Sequence, residues 1–158
     1  MEKVKVFLPD VRISYPSLLE PRQPLMGGEP KYDATFLMAP ESGAAHNLTA
    51  AVQDIAQRAF GNAAEKILRE NSPVKKGDDK ETPPAGYAGN LYITARSKMR
   101  PDLRDSNPQI MITDPATIQD RFRGGYHVNA FVEVYSYEAK AATGAIIKRG
   151  IAAMLLGV

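Results

Sequence analysis

GNLYITARSKMRP, residues Gly89–Pro101, alternates as a β-strand does. Read that way, Leu91, Ile93, Ala95 and Met99 share one face, and Tyr92, Thr94, Arg96 and Lys98 share the other. The first face suits a core. The second sets an aromatic ring in line with two cations, and Arg100 and Arg104 follow. Cations in a row suit the phosphates of a polyanion and the ring suits an unpaired base. The same row would also serve as charged protection of a solvated strand edge, so the stretch alone leaves both readings open.

The flanking sequence repeats the pattern. In KVKVFL, residues 3–8, Val4, Val6 and Leu8 oppose Lys3, Lys5 and Phe7. After Pro9-Asp10, Val11, Ile13 and Tyr15 oppose Arg12 and Ser14. This predicts one long strand bulged at Pro9, which has no N–H for a ladder. Residues 16–30 read as a Pro- and Gly-rich loop whose Leu18, Leu19, Leu25 and Met26 pack in part. KYDATFLMAP, residues 31–40, predicts a strand covered on both faces, because Tyr32, Ala34, Phe36 and Met38 oppose Asp33, Thr35 and Leu37.

Further along, Gln109–Thr113 predicts a short strand and Asp114–Gly125 a turn or single helical turn. In Tyr126–Tyr137, Tyr126, Val128, Ala130, Val132 and Val134 face inward, with His127, Asn129, Phe131, Glu133, Tyr135 and Tyr137 outward. Ala145–Val158 predicts a last strand bending at Gly150.

One helical insert interrupts the strands. Leu48, Val52, Ile55 and Ala59 recur at helical spacing, opposite Gln53, Asp54, Gln57 and Arg58, with Ser42 as N-cap. Gly61-Asn62 breaks the helix before a second piece that buries Ile67 and Leu68. Asn71–Gly86 reads as a mobile surface loop with scarcely an apolar anchor. The expected fold is mainly β, an antiparallel barrel in Greek-key-like order with one helical insertion, forming a single domain over residues 1–158.

Composition narrows the function. The 158 residues carry 20 Lys and Arg against 18 Asp and Glu, a net charge of +2, so any affinity for nucleic acid must come from local arrangement. Cysteine is absent, which excludes disulfides and thiolate chemistry. Tryptophan is absent too, so stacking falls to Tyr, Phe or His. No apolar run is long enough to span a bilayer and no signal segment opens the chain, which points to the cytoplasm.

Catalytic constellations are weak. His46 and His127 stand far apart without metal-ligand spacing. Asp102, Asp105, Asp114 and Asp120 sit in turn-like sequence, where Asp is favoured for backbone reasons. A metal-dependent nuclease built on them is a weak third reading; neither an enzyme nor a cofactor or metal is expected. The stronger rivals are a nucleic-acid-binding barrel and a virion interaction module that docks a partner protein through an aromatic face. For the first, Tyr92, Phe131, Tyr135, Phe7 and Tyr137 would stack on bases. Arg96, Lys98 and Arg100 would hold phosphates, with Lys3, Lys5, Arg12, Arg121 and Arg123 extending the track.

Five motifs in order, Ser14-Tyr15, Gly28–Phe36, Ala95–Pro101, Gly125–Tyr137 and Arg149–Ala152, resemble the landmarks of a family of phage-encoded single-stranded-DNA-binding proteins, formerly a domain of unknown function. They span nearly the whole chain. One departure is mild: Arg149-Gly150 stands where Lys-Gly is usual. The resemblance implies an OB-like barrel that coats single-stranded DNA without sequence preference, in phage replication or recombination, inside an infected bacterial cell. It also implies phage or host replication proteins as partners. Members of the family continue past this point, often into an acidic tail, so the chain is expected to lack a C-terminal tail.

Overall fold

A computed structural model of the chain describes residues 2–24 and 27–158, and every side chain among them except that of Ile147. Leu25 and Met26, expected to pack in part, lie outside these residues. The elements in order are β1 (Lys3–Arg22), β2 (Lys31–Met38), α1 (Gly43–Phe60), α2 (Ala64–Asn71), β3 (Lys75–Lys76), β4 (Leu91–Ser97), α3 (Pro115–Arg121), β5 (His127–Lys140) and β6 (Ile146–Gly157).

The sheet runs β2-β1-β5-β6-β4-β3, and an extra pairing of β2 with β4 closes it. The closed barrel thus has β1, β2, β4, β5 and β6 as its staves, and β3 only caps the start of β4. All of its pairings are antiparallel except β4 with β6, which meet in parallel at Arg96 and Met154. A five-stranded Greek-key barrel is the OB architecture, and the helical insertion falls between β2 and β4.

Strand alternation fills the interior. Val6, Leu8, Val11, Ile13, Phe36, Ile93, Ala95, Val132 and Val134 pack in one cluster with Leu48, Val52 and Ile55 of α1. Helix α1 begins where its cap directs: the Ser42 hydroxyl accepts a 3.2 Å hydrogen bond from the Ala45 amide. Asp114 caps α3 in the same way, accepting from the Thr117 amide at 3.0 Å.

β1 is bulged at Pro9-Asp10, where its register against β5 shifts and Asp10 takes φ 49°. It then runs on through Pro16 and Pro21, where a loop was expected. Pairing with β5 ends at Arg12 and the last backbone bonds on that side join Ile13 to Gly125 and Tyr126, so beyond Ile13 β1 pairs only with β2 and its free side tolerates proline. Tyr15, expected inside, is 61% exposed, because its own φ of 45° lies within a second register shift that turns it outward. Met99 is also outside: β4 ends at Ser97, whose hydroxyl accepts from the Met99 amide at 3.1 Å. Tyr126 precedes β5 and is exposed rather than core. Gln109–Thr113 forms no strand, only a bridge from Met111 to Arg104.

Asn71–Gly86 is not loop throughout. Asn71 ends α2, Val74 packs against the core, and Lys75-Lys76 pair with β4. Tyr87, just beyond, is buried and its hydroxyl donates to the Ser14 hydroxyl at 3.0 Å. Gly77 lies directly beneath it. A Cβ there would stand 1.7 Å from the Tyr87 carbonyl oxygen and 2.4 Å from its carbon, both backbone atoms that cannot swing aside. Gly77→Ala should therefore unseat residues 77–90 and break the 2.8 Å bond from the Gly77 amide to the Asn90 carbonyl. The expected cost is about 3 kcal/mol, the upper end for overpacking; urea unfolding checks it, and a loss under about 0.5 kcal/mol would show that the segment tolerates the methyl.

Candidate nucleic-acid interface

The outer face of the barrel is laid out by register. On β4, Tyr92, Thr94 and Arg96 point away from the core while Ile93 and Ala95 point in. The Thr94 hydroxyl meets that of Thr35 on β2 at 2.8 Å, which ties the two strands on this face. Across the parallel seam Arg96 stands beside Met154, Met154 beside Glu133, and Glu133 beside Lys5. One row along, Ala152 pairs with Tyr135 and Tyr135 with Lys3; the next places Gly150 against Tyr137.

Most of these outer-face residues, Lys5, Thr35 and Gly150 excepted, line a groove. Its walls include Tyr92, Tyr135 and Tyr137, and its cations are Lys3, Lys31, Lys75, Arg96, Lys98 and Lys148. Against these six stand two carboxylates, Glu70 and Glu133, so the groove carries net +4 (six less two). The whole chain carries only +2, so the remainder is net negative. The small charge of the chain therefore conceals a concentrated field at one place.

Local contacts set each side chain. Lys98 meets Glu29 at 3.0 Å, largely in solvent where such pairs are weak and exchangeable, and Lys3 meets the mostly covered Glu133 at a long 3.9 Å. Arg96 enters no ion pair among the described residues. Asp33 lies near it and near Arg22; burial raises the Asp33 carboxyl above the usual range, and the two guanidinium groups pull it back. Burial also raises the Tyr135 phenol, helped by Tyr137 and opposed by Arg96. Tyr92 is half-covered, with Tyr87 at 5.3 Å between centroids and the Lys80 ammonium 5.1 Å over its ring.

Tyr137 lies flat across Gly150, where a Cβ would come within 2.6 Å of its hydroxyl oxygen and 2.8 Å of the ring. Gly150→Ala should swing the ring out, because only the end of a flexible side chain opposes the methyl. Affinity for oligo-dT should fall about five- to tenfold, within the range for one stacked base, with the melting temperature nearly unchanged. Unaltered affinity would show that the ring's position is immaterial.

Other sequence-selected residues fall elsewhere. Phe7 and Phe131 form a ring pair 4.9 Å between centroids in a second groove, with Lys5, Arg121, Tyr126 and His127. Arg121 is paired there with Asp105. Arg12, Arg100 and Arg123 line neither groove. The Arg12 guanidinium packs against Gly86 and Gly125, Arg100 donates to the Leu19 carbonyl at 3.3 Å and approaches the Tyr32 ring, and Arg123 pairs with Asp120 at 3.2 Å. Sequence reading missed Lys31, Lys75 and Lys148, because their strands bring them to the groove from three different parts of the chain. The carboxylates once considered as metal ligands are engaged separately: Asp102 with Arg104, Asp105 with Arg121, Asp120 with Arg123, and Asp114 in its cap.

Known proteins match this chain in sequence and fold. The family model described as Enterobacter phage Enc34, ssDNA-binding protein, covers residues 4–158. Protein p50 of Acyrthosiphon pisum secondary endosymbiont phage 1 is 37% identical, over 98% of this chain and 82% of that protein. The single-stranded DNA-binding protein from bacteriophage Enc34, solved in complex with ssDNA, superposes with a TM-score of 0.77 at 26% identity, covering 97% of this chain and 83% of its own. The fold extends to gp2.5, a single-stranded DNA binding protein encoded by bacteriophage T7, with a TM-score of 0.55 at 13% identity, over 98% of this chain and 87% of that one. With its barrel and nearly its whole length accounted for, the chain belongs to the Enc34 family of phage single-stranded-DNA-binding proteins.

Proposed function

We propose that this protein binds single-stranded DNA without sequence preference, as a coating protein and not an enzyme, during phage replication or recombination. The groove of net +4 lined by three tyrosines carries the reading. Cations neutralise phosphates whatever the sequence, and aromatic faces accept any base. Stacking requires unpaired bases, which favours single strands over duplex. The site of action is the cytoplasm of the infected bacterium, with phage or host replication proteins as partners. Among the described residues no helix is long and apolar enough to cross a membrane.

Fluorescence anisotropy with labelled oligo-dT and oligo-dA, each challenged with unlabelled duplex over a range of salt, tests the proposal. Comparable affinities for the two oligonucleotides, weaker competition by duplex and a steep salt dependence are expected. Duplex competing as well as single strands, or binding indifferent to salt, would overturn it.

A further inference from the structure

The second groove differs from the first in charge. Its lining carries Lys5, Arg104 and Arg121 against Asp10, Asp102, Asp105 and Asp120, or net −1 (three less four). Arg104 and Arg121 are already held by Asp102 and Asp105, and His127 Nδ1 lies 3.1 Å from Asp10. Lys5 is the lining Lys or Arg that enters no ion pair among the described residues. Such a rim repels a continuing phosphate backbone. Yet at its edge Phe7 and Phe131 remain 40% and 50% exposed, although they contact each other. Large rings left in water on a strand face are a cost to solubility that binding would relieve.

The two grooves share one surface. Lys3, Lys5 and Phe7 follow one another on the outer face of β1, opposite Tyr135, Glu133 and Phe131 of β5. Tyr135 and Phe131 are four residues apart, about 14 Å along the strand. That is about four stacked nucleotides at 3.4 Å each, or fewer when extended. One base cannot touch both aromatic groups.

We propose that the Phe7–Phe131 pair is the terminal base subsite of the single-stranded-DNA path. The strand leaves the basic groove across Lys5, places one base on the pair, and departs from the protein where the rim turns negative. This rests on the proposed DNA binding by the first groove. It assigns the pair a contribution made by stacking, not by charge, and one that only a sufficiently long strand can reach.

The test measures affinity for an oligo-dT ladder, at several salt concentrations, for the unaltered chain and the double variant Phe7→Ala, Phe131→Ala. The shortest oligonucleotides that bind should bind both proteins equally. Longer ones should lose about tenfold in the variant, the equivalent of one stacked base, with the salt slope unchanged. A variant with both rings replaced by Leu, which keeps much of the apolar area, should show the same length-dependent loss and guards against a folding defect. Equal loss at every length, no loss at any length, or a flattened salt slope would each overturn the subsite. If the unaltered chain bound no oligonucleotide of any length, the reading of the first groove would fall, and this one with it.

Discussion

Lys3, Arg96 and Lys98 changed together to alanine should flatten the dependence of DNA affinity on salt. Each phosphate neutralised on a single strand contributes about −0.7 to the slope of log K against log salt. Three lost contacts therefore reduce it by roughly two units. Affinity at low salt should fall most, and oligo-dT and oligo-dA should lose alike, since phosphates carry no sequence. The structure supplies the control, because Arg100 and Arg123 are also exposed cations but line neither groove. Their joint change to alanine should leave the slope within about half a unit of its starting value. If the control flattened the slope as much as the triple variant, the DNA would follow another path.

The second large effect is a dissociation between stability and binding. Phe36 is fully buried at the centre of the barrel, whereas Tyr135 lies half-buried on its outer wall. Phe36→Ala should cost about 3–5 kcal/mol of folding free energy, a fall of roughly 6–20 °C in melting temperature for a chain of this size. Tyr135→Ala should cost about 1–3 kcal/mol of binding to oligo-dT, with a much smaller change in melting. Tyr92→Ala should resemble Tyr135→Ala, tempered by the loss of the contacts Tyr92 makes with Tyr87 and Lys80. Thermal melting and anisotropy on the same preparations decide the matter. A Tyr135 variant that melted early and bound normally would assign that ring to the core.

The faces of β4 and β5 were legible from alternation, since a period of two needs no knowledge of partners. Ser42 was legible as a cap because its bond is local. What failed depended on distant backbone. Tyr15 alternates with Ile13 in sequence, but a positive φ turns it into solvent. Arg12 looks like any cation of the outer face, yet two glycine-bearing segments close over its guanidinium. Phe131 and Tyr135 were correctly placed on one face, but the division of that face into a basic and a net-negative groove depends on the segment 102–121. Charge counting along the chain could not reveal the net +4 groove, because Lys31, Lys75, Arg96 and Lys148 meet only in the closed barrel.

The pairing of β1 with β5 sets a timetable for making the protein. Lys3 finds its cross-strand partner in Tyr135, which leaves the ribosome 132 residues later. At about 5–20 residues per second that delay is roughly 7–26 s. Throughout it the valine-rich first strand presents an open edge to other nascent chains. The parallel seam of β4 with β6 waits longer still, for Met154. Closure therefore comes only after Met154 has been made, and contacts so distant in sequence make it slow. Neighbouring nascent chains would compete for the same edges meanwhile. Yield of soluble protein should then depend on the rate of translation more than on the final stability of the barrel.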